Sequence, residues 1–339
     1  MPKINIAIIA GGFSNEREIS LLSAGQIAQA LPTDKYEVKI IEITPDKKWL
    51  LRPDLKAIGE QSTGHELLSS QTTPDKLDLP SIDVVFLSLH GKFGEDGRIQ
   101  AILDYQGVPY TGSGVLASAL GMNKIKCLEI LYSHGIVIPQ HVVLYKNPES
   151  LDEFDGLISK SFGYPVVVKP NESGSSIGVS LVKDFSELKK AVDLAFKEDK
   201  IVLVEEMIVG RELTCPVMGN TGQTELTALP PVEIIPHESK FFDYQAKYFS
   251  KKTEEICPAN IGPELTAKIQ DLSKKIHAIL GCDGLTRSDF ILKDNELYFI
   301  EINTIPGQTA ASLAPKSAKV AGMSFAEFLE KQIELARQK

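Results

Sequence analysis

Two strand-like runs near the C-terminus, TRSDFIL (286–292) and ELYFIEIN (296–303), limit what this chain can fold into more than any other feature. Each interleaves charged or polar residues with bulky apolar ones, the period expected of strands with one buried face. KDNE (293–296) supplies the turn between them. A three-residue loop pairs Lys293 with Leu297, which sets Asp289 opposite Glu301 and Arg287 opposite Asn303. A two-residue loop sends the carboxylates to opposite faces, because a slip of one residue inverts every side chain. Like charges facing each other across a strand pair destabilise it, so Asp across from Glu calls for a cation. Carboxylate and amide oxygens are hard donors, suited to a divalent ion that also carries phosphate oxygens. The alternative is a solvated outer face with Arg287 between two acids. Pro306-Gly307 breaks the chain just after Asn303, as in a loop that approaches a ligand closely.

A chain of 339 residues exceeds one ordinary core, so two or three domains are expected. Apolar content of 43% and charged content of 24% are those of a soluble globular protein. The formal net charge of −9 argues against nucleic acid as a general partner, since phosphate backbones need a basic surface. Cys127, Cys215, Cys257 and Cys282 lack CxxC spacing, which suggests neither a zinc site nor a disulfide framework. The opening MPKINIAIIAGG lacks the apolar core and cleavage site of a signal peptide. No run approaches the roughly 18 apolar residues of a membrane span. The expectation is a cytoplasmic protein with no membrane partner.

Residues 3–10 form a nearly continuous apolar run, as in a buried parallel strand. Gly11-Gly12, Ser14 as N-cap and a helix over about 16–31 follow, which suggests the opening of a doubly wound sheet with ligands at the carboxyl ends of its strands. Glu16 falls in the first helical turn, where capping and ligand binding are both open readings. Strands are expected at 36–44 and 83–89, with a polar, unpatterned insertion over about 54–80. The second of these runs into HGKFGEDG (90–97), a Gly-rich loop that makes His90 a binding candidate beside a structural role. KPNESGSSIGVSLV, from Lys169, has the look of a hairpin whose tip offers N–H groups and hydroxyls to an anion, or of a plain mobile turn. EEMIVGREL suits a purine slot, and the C-terminal part is strand-rich with helices at 264–280 and 325–337. The domains are expected at 1–121, 122–213 and 214–339.

In chain order, GGFSNEREISLLSAG, LHGKFGEDGRIQ, PYTGSG, KPNESGSSIGV, VEEMIVGREL, FDYQAKY, RSDF and EINTIPGQTAASL resemble the motifs of the ATP-grasp superfamily, and within it the D-alanine–D-alanine ligase family. The resemblance implies a three-domain fold of α/β and α+β parts: an N-terminal doubly wound parallel sheet, then two lobes that hold ATP between them. It implies ligation of two D-alanines through a D-alanyl phosphate, for peptidoglycan precursors, by a homodimer. Related ligases with D-lactate or D-serine as second substrate, and a non-catalytic ATP-binding module, are the alternatives.

Carried over by position, the resemblance makes Lys124 and Lys169 phosphate-binding lysines, with Ser175 and Ser176 folding over the triphosphate. Glu205, Glu206, Met207 and Ile208 would flank adenine largely through backbone, Glu212 would take the ribose, and Lys247 would reach the γ-phosphate. Asp289, Glu301 and Asn303 would hold two magnesium ions, with manganese a possible substitute. Glu16 would bind the first D-alanine's ammonium with His90 nearby. Arg287 and Gly307 would stabilise the oxyanion, and Ser312 with Leu313 would receive the second carboxylate. Tyr248 would link through Ser175 to Glu16. Gln245 and Ala310-Ala311 depart from the family pattern, while Tyr248 goes with D-alanine rather than D-lactate as second substrate.

Overall fold

The computed structural model describes residues 2–52, 82–174, 177–236 and 253–339, and the backbone at 65–68. The apolar run at the start forms β1 (Ile4–Gly11), which pairs in parallel with β2 (Tyr36–Ile43) and β5 (Val84–Leu87). Both faces of β1 are buried. Ile6, Ile8 and Ala10 pack with Ala24 and Ile27 of α1 (Arg17–Ala30), while Ala7 and Ile9 pack with Ile41, Leu87 and Leu103. This is why the run reads as continuous rather than alternating. The helix starts later than expected, with Glu16 rather than Ser14 at the N-cap. The Ser14 hydroxyl instead accepts from Glu16 N–H at 3.3 Å and donates to the His90 carbonyl at 2.8 Å. Two antiparallel strands, β3 (Trp49–Arg52) and β4 (His65–Leu68), extend this sheet in the order β4-β3-β2-β1-β5. The second lies inside the segment expected to be unpatterned; the remainder of that segment, up to residue 81, falls outside the described residues.

After β5 come α2 (Arg98–Gln106), α3 (Val115–Met122) and α4 (Lys124–Ser133), of which α2 had no counterpart in the sequence reading. A four-stranded antiparallel sheet follows, in the order β6 (His141–Leu144), β9 (Val202–Glu206), β7 (Val166–Pro170), β8 (Ser180–Val182). Helices α5 (Asp152–Ser161) and α6 (Phe185–Glu198) cover one side of it through Ile158, Leu188 and Val192. The expected hairpin is present: Val166 pairs with Val182 and Val168 with Ser180.

The last sheet is built on β10 (Arg211–Met218), which therefore runs across the 213/214 position. It pairs with the short β11 (Thr227–Ala228) and with β12 (Val232–Pro236), itself beside β13 (Thr253–Ile256). On its other side lie β14 (Leu285–Lys293) and β15 (Glu296–Asn303). Helix α7 (Gly262–Ile279) packs Ile269 and Ile276 beneath Leu213, Phe290 and Phe299. Helices α8 (Leu313–Val320) and α9 (Phe325–Ala336) carry Ala314, Phe328 and Ile333 back into the core under β1. The C-terminus thereby ties the first and last sheets together.

The β14–β15 hairpin delivers the expected pairing by a different route. Its loop has two residues, not three: Lys293 pairs with Glu296, and Asp294 and Asn295 both take positive φ, 51° and 63°. Such a turn matches the twist of the strands and favours Asn and Asp. Phe290 then faces Phe299, their rings edge-on with centroids 5.9 Å apart. A β-bulge follows, so that Ile300 is extra and Asp289 meets Glu301 while Arg287 meets Asn303. Because Phe290 anchors the core side of the hairpin at 0% exposure, Phe290→Ala should lower unfolding free energy by roughly 3–5 kcal/mol in urea titrations.

Candidate active site

One face of the last sheet carries Thr214, Arg287, Asp289, Glu301 and Asn303, since residues facing each other across the pairs β10–β14 and β14–β15 share a side. The opposite side is apolar: Leu213, Cys215, Phe290 and Ile302 are buried against α7. The strands are thus fixed by the core and free to present a dense polar set.

Electrostatics organises that set. The Arg287 guanidinium grips Asp289 at both oxygens, Nε to Oδ1 at 2.9 Å and Nη2 to Oδ2 at 2.8 Å. Thr214 donates to Oδ1 at 2.5 Å and the Asn303 amide to Oδ2 at 3.0 Å. Such two-pronged, charge-assisted bonds are the strong ones. Glu301 faces the ammonium of Lys124 at 3.6 Å. Lys124 also donates to the Ser173 carbonyl at 2.7 Å, and Asn123, the N-cap of α4, donates to Glu172 at 2.6 Å. The start of α4 is thereby docked on the loop that follows β7. Asp289, Glu301 and Asn303 offer hard oxygen donors on one face, the donor chemistry a magnesium ion takes.

A cleft at this face is lined by Glu16, His90, Glu95, Lys124, Arg287, Glu301, Asn303 and Gly307. The N-terminal sheet contributes Glu16 at the head of α1 and His90 beyond β5, both nearly buried. Two glycine backbones press on the Glu16 carboxylate. A Cβ at Gly91 would stand 2.9 Å, and one at Gly174 3.0 Å, from its Oε2. His90 Nδ1 lies 3.1 Å from the Ile305 carbonyl oxygen.

Lys169, Glu205 and Glu212 do not line that cleft; they stand on β7, β9 and β10. Lys169 and Glu205 form a buried pair, Nζ to Oε2 at 2.6 Å, and the second Glu205 oxygen is buried without a hydrogen-bond partner among the described residues. Glu206 turns its carboxylate to the Gln140 N–H at 3.0 Å, and the Met207 N–H donates to the Pro165 carbonyl at 3.3 Å. Glu212 faces Ile291 and so shares the polar side of the sheet with Thr214. Ser312 caps α8 by position, its hydroxyl bound to Thr309 Oγ1 at 2.8 Å, with Leu313 buried behind it. Ser175, Ser176, Lys247 and Tyr248 lie outside the described residues.

Glu95 was not singled out from sequence, although it sits within the Gly-rich 90–97 loop that marked His90. It accepts from Gly91 N–H at 2.8 Å and Ile305 N–H at 3.1 Å. Burial, and then the charge of Glu16, push its acid up to about 8, against the pull of those two N–H groups and Arg287.

These lobes and this polar face define an ATP-grasp protein. A family model described as D-ala D-ala ligase N-terminus matches residues 5–113, and one described as D-ala D-ala ligase C-terminus matches 130–334. A D-alanine--D-alanine ligase of Syntrophobacter fumaroxidans is 41% identical over 336 residues, covering 98% of each chain. The VanG D-Ala:D-Ser ligase from Enterococcus faecalis superposes with a TM-score of 0.86 at 34% identity, over 99% of this chain and 100% of that one. The ATP complex of the D-alanine--D-alanine ligase from Bacillus anthracis gives 0.76 at 32% identity, over 98% of this chain and 97% of that one. The chain belongs to the D-alanine–D-alanine ligase family.

The raised pKa of Glu95 has a definite sign in stability. Its folded value of about 8 exceeds the ordinary 4.5, so its burial costs nothing below pH ~4.5, an increasing amount between ~4.5 and ~8, and the full amount above. Glu95→Gln removes that dependence. The difference in Tm, variant minus wild type, should therefore become more positive from pH 5 to pH 8.5, as read by thermal melts.

Proposed function

We propose that the chain joins two D-alanines to D-alanyl-D-alanine at the expense of ATP, for peptidoglycan precursor synthesis. The observation that carries this reading is the meeting of Glu16, Lys124, Arg287, Glu301 and Gly307 around one cleft in a chain of this family. A carboxylate is a poor electrophile. Its oxygen takes the γ-phosphoryl group, releasing ADP and leaving an acyl phosphate. The amine of the second D-alanine attacks the carbonyl carbon, loses a proton and displaces phosphate.

In this reading Glu16 holds the ammonium of the first D-alanine, with His90 beside it. Lys124 and Lys169 draw the phosphates into line, with Lys247, Ser175 and Ser176 completing the phosphate contacts. Adenine lies along Glu205 to Ile208: the buried, unpartnered oxygen of Glu205 calls for a donor such as the exocyclic amine, while Glu206 and Met207 contribute backbone and Glu212 takes the ribose. Asp289, Glu301 and Asn303 would hold two magnesium ions, or manganese. Metal bound there would neutralise charge on the transferred phosphoryl group. The Arg287 guanidinium and the Gly307 N–H meet the tetrahedral oxyanion, where one lost donor costs roughly 100- to 1000-fold. Ser312 and Leu313 receive the second carboxylate, and Tyr248, through Ser175 and Glu16, closes the site against water, which would hydrolyse the acyl phosphate. The reading includes three domains, 1–121, 122–213 and 214–339, a homodimer, and a cytoplasmic location.

Purified protein with ATP and Mg²⁺ should release phosphate with D-alanine but not L-alanine, and yield the D-Ala-D-Ala mass. No D-alanine-dependent release sinks the reading. A D-Ala-D-Ser mass in preference, when both amino acids are offered, replaces it with the activity named for the VanG relative. Arg287→Ala should abolish dipeptide formation, by at least about 100-fold, while ATP binding measured by calorimetry is largely kept. Gly91→Ala meets both a φ of +70° and the Glu16 carboxylate; it should raise KM for the first D-alanine by about tenfold or more with little change in KM for ATP, read in steady-state assays.

A further inference from the structure

Two residues of the loop between β5 and α2, His90 and Glu95, close on a single residue, Ile305. Glu95 Oε1 accepts the Ile305 N–H at 3.1 Å, and His90 Nδ1 stands 3.1 Å from the Ile305 carbonyl oxygen. Glu95 Oε2 accepts the Gly91 N–H at 2.8 Å, so the same carboxyl group also ties the loop to itself. Ile305 is 3% exposed, packed among Leu89, Tyr110 and their neighbours. Ile305 is therefore held at its N–H, its carbonyl and its side chain. Only Pro306 separates it from Gly307, and a proline ring fixes φ near −65°. The orientation of the Ile305–Pro306 peptide, whose carbonyl faces His90, passes to the Gly307 N–H with one fewer rotatable bond than usual, and Glu95 acts on that peptide through the Ile305 residue whose N–H it holds.

We propose that Glu95 is a positioning residue for the ligation step: by holding Ile305 it aims the Gly307 N–H beside the Arg287 guanidinium at the developing oxyanion. The inference rests on the assignment of those two donors made above. Glu95 itself touches no reacting atom. Each carboxyl oxygen accepts one of the two N–H groups, an arrangement that favours the ionised carboxylate. A glutamine amide has a single acceptor oxygen and must turn its NH₂ toward one of the two N–H groups. The contact expected to be lost is the longer one, to Ile305.

Glu95→Gln keeps side-chain size and removes one acceptor, and two steps of the reaction then separate the readings. Positional isotope exchange in labelled ATP with D-alanine reports formation and reversal of the acyl phosphate; dipeptide kcat also requires the tetrahedral step. The variant should lose roughly 10- to 100-fold in dipeptide kcat, less than outright loss of a donor. Isotope exchange should stay within about threefold, and KM for ATP within about twofold. A parallel fall in exchange and ligation, or no fall in either, overturns the proposal. Should Glu95→Gln fail to fold, Glu95→Asp, which keeps the carboxylate but cannot span both N–H groups, must show the same split. Wild-type protein is run alongside. Absence of D-alanine-dependent exchange there would sink the ligase reading, whereas wild-type exchange with an unsplit variant sinks the role of Glu95 alone.

Discussion

The guanidinium of Arg287 lying along the Asp289 carboxylate is the contact on which the polar face depends. Asp289 stands across from Glu301, an arrangement that repels in either a folded or a partly folded hairpin. Arg287 is only 6% exposed, so its charge must be matched nearby, and the carboxylate two residues on matches it. Removing one partner of such a pair typically costs about 3–5 kcal/mol, because the other charge is left buried. Thr214 from the neighbouring strand and Asn303 from the facing one spend their hydrogen bonds on the same carboxylate. The arrangement is tolerable because the far side of the hairpin is packed with Phe290, Phe299 and Ile302, which hold the strands in place regardless of what the polar side does.

Much of this was legible in the chain. Continuous apolar character marks β1 as buried on both sides, and the helices expected at 264–280 and 325–337 are α7 and α9 to within two residues at each end. The facing of Asp289 with Glu301 was also right, but the three-residue loop offered as its cause was not. The missed signal is local. In ELYFIEIN four apolar residues in succession, Leu297 to Ile300, interrupt the alternation, and the buried positions pass from Leu297 and Phe299 to Ile302, a phase change of the kind a bulge produces. Ser14 suits an N-cap by residue type, yet its hydroxyl donates to the His90 carbonyl, a long-range partner no local rule foresees. Among elements, α2 and β4 are short and weakly patterned and are fixed by what they pack or pair with. Glu95 escaped because its role comes from meeting Ile305, 210 residues later in the chain.

The cleft draws on every sheet. Glu16 and His90 come from the first, Ser173 and Gly174 from the loop of the second, and Arg287 and Glu301 from the third. The first and last sheets share a buried core, through Ala314, Phe328 and Ile333 beneath β1. The loop that follows β7 instead meets Glu16 through bare backbone, where a Cβ at Gly174 would stand 3.0 Å from the carboxylate. Precision between the first and last sets is a matter of core packing, and precision at that loop rests on a few atoms.

Ile300 carries a consequence of a different kind. Because it is supernumerary, excising it would leave each partner across β14 and β15 unchanged and each side chain on the side it now occupies. What would change is the local coil of the strand, since an extra residue bends it and tightens its right-handed twist. The hairpin therefore separates two properties that usually travel together: which groups meet, written in the pairing, and the angle at which they are presented, written in one residue that pairs with nothing. A chain built this way can re-aim Glu301 and Asn303 without altering a single donor.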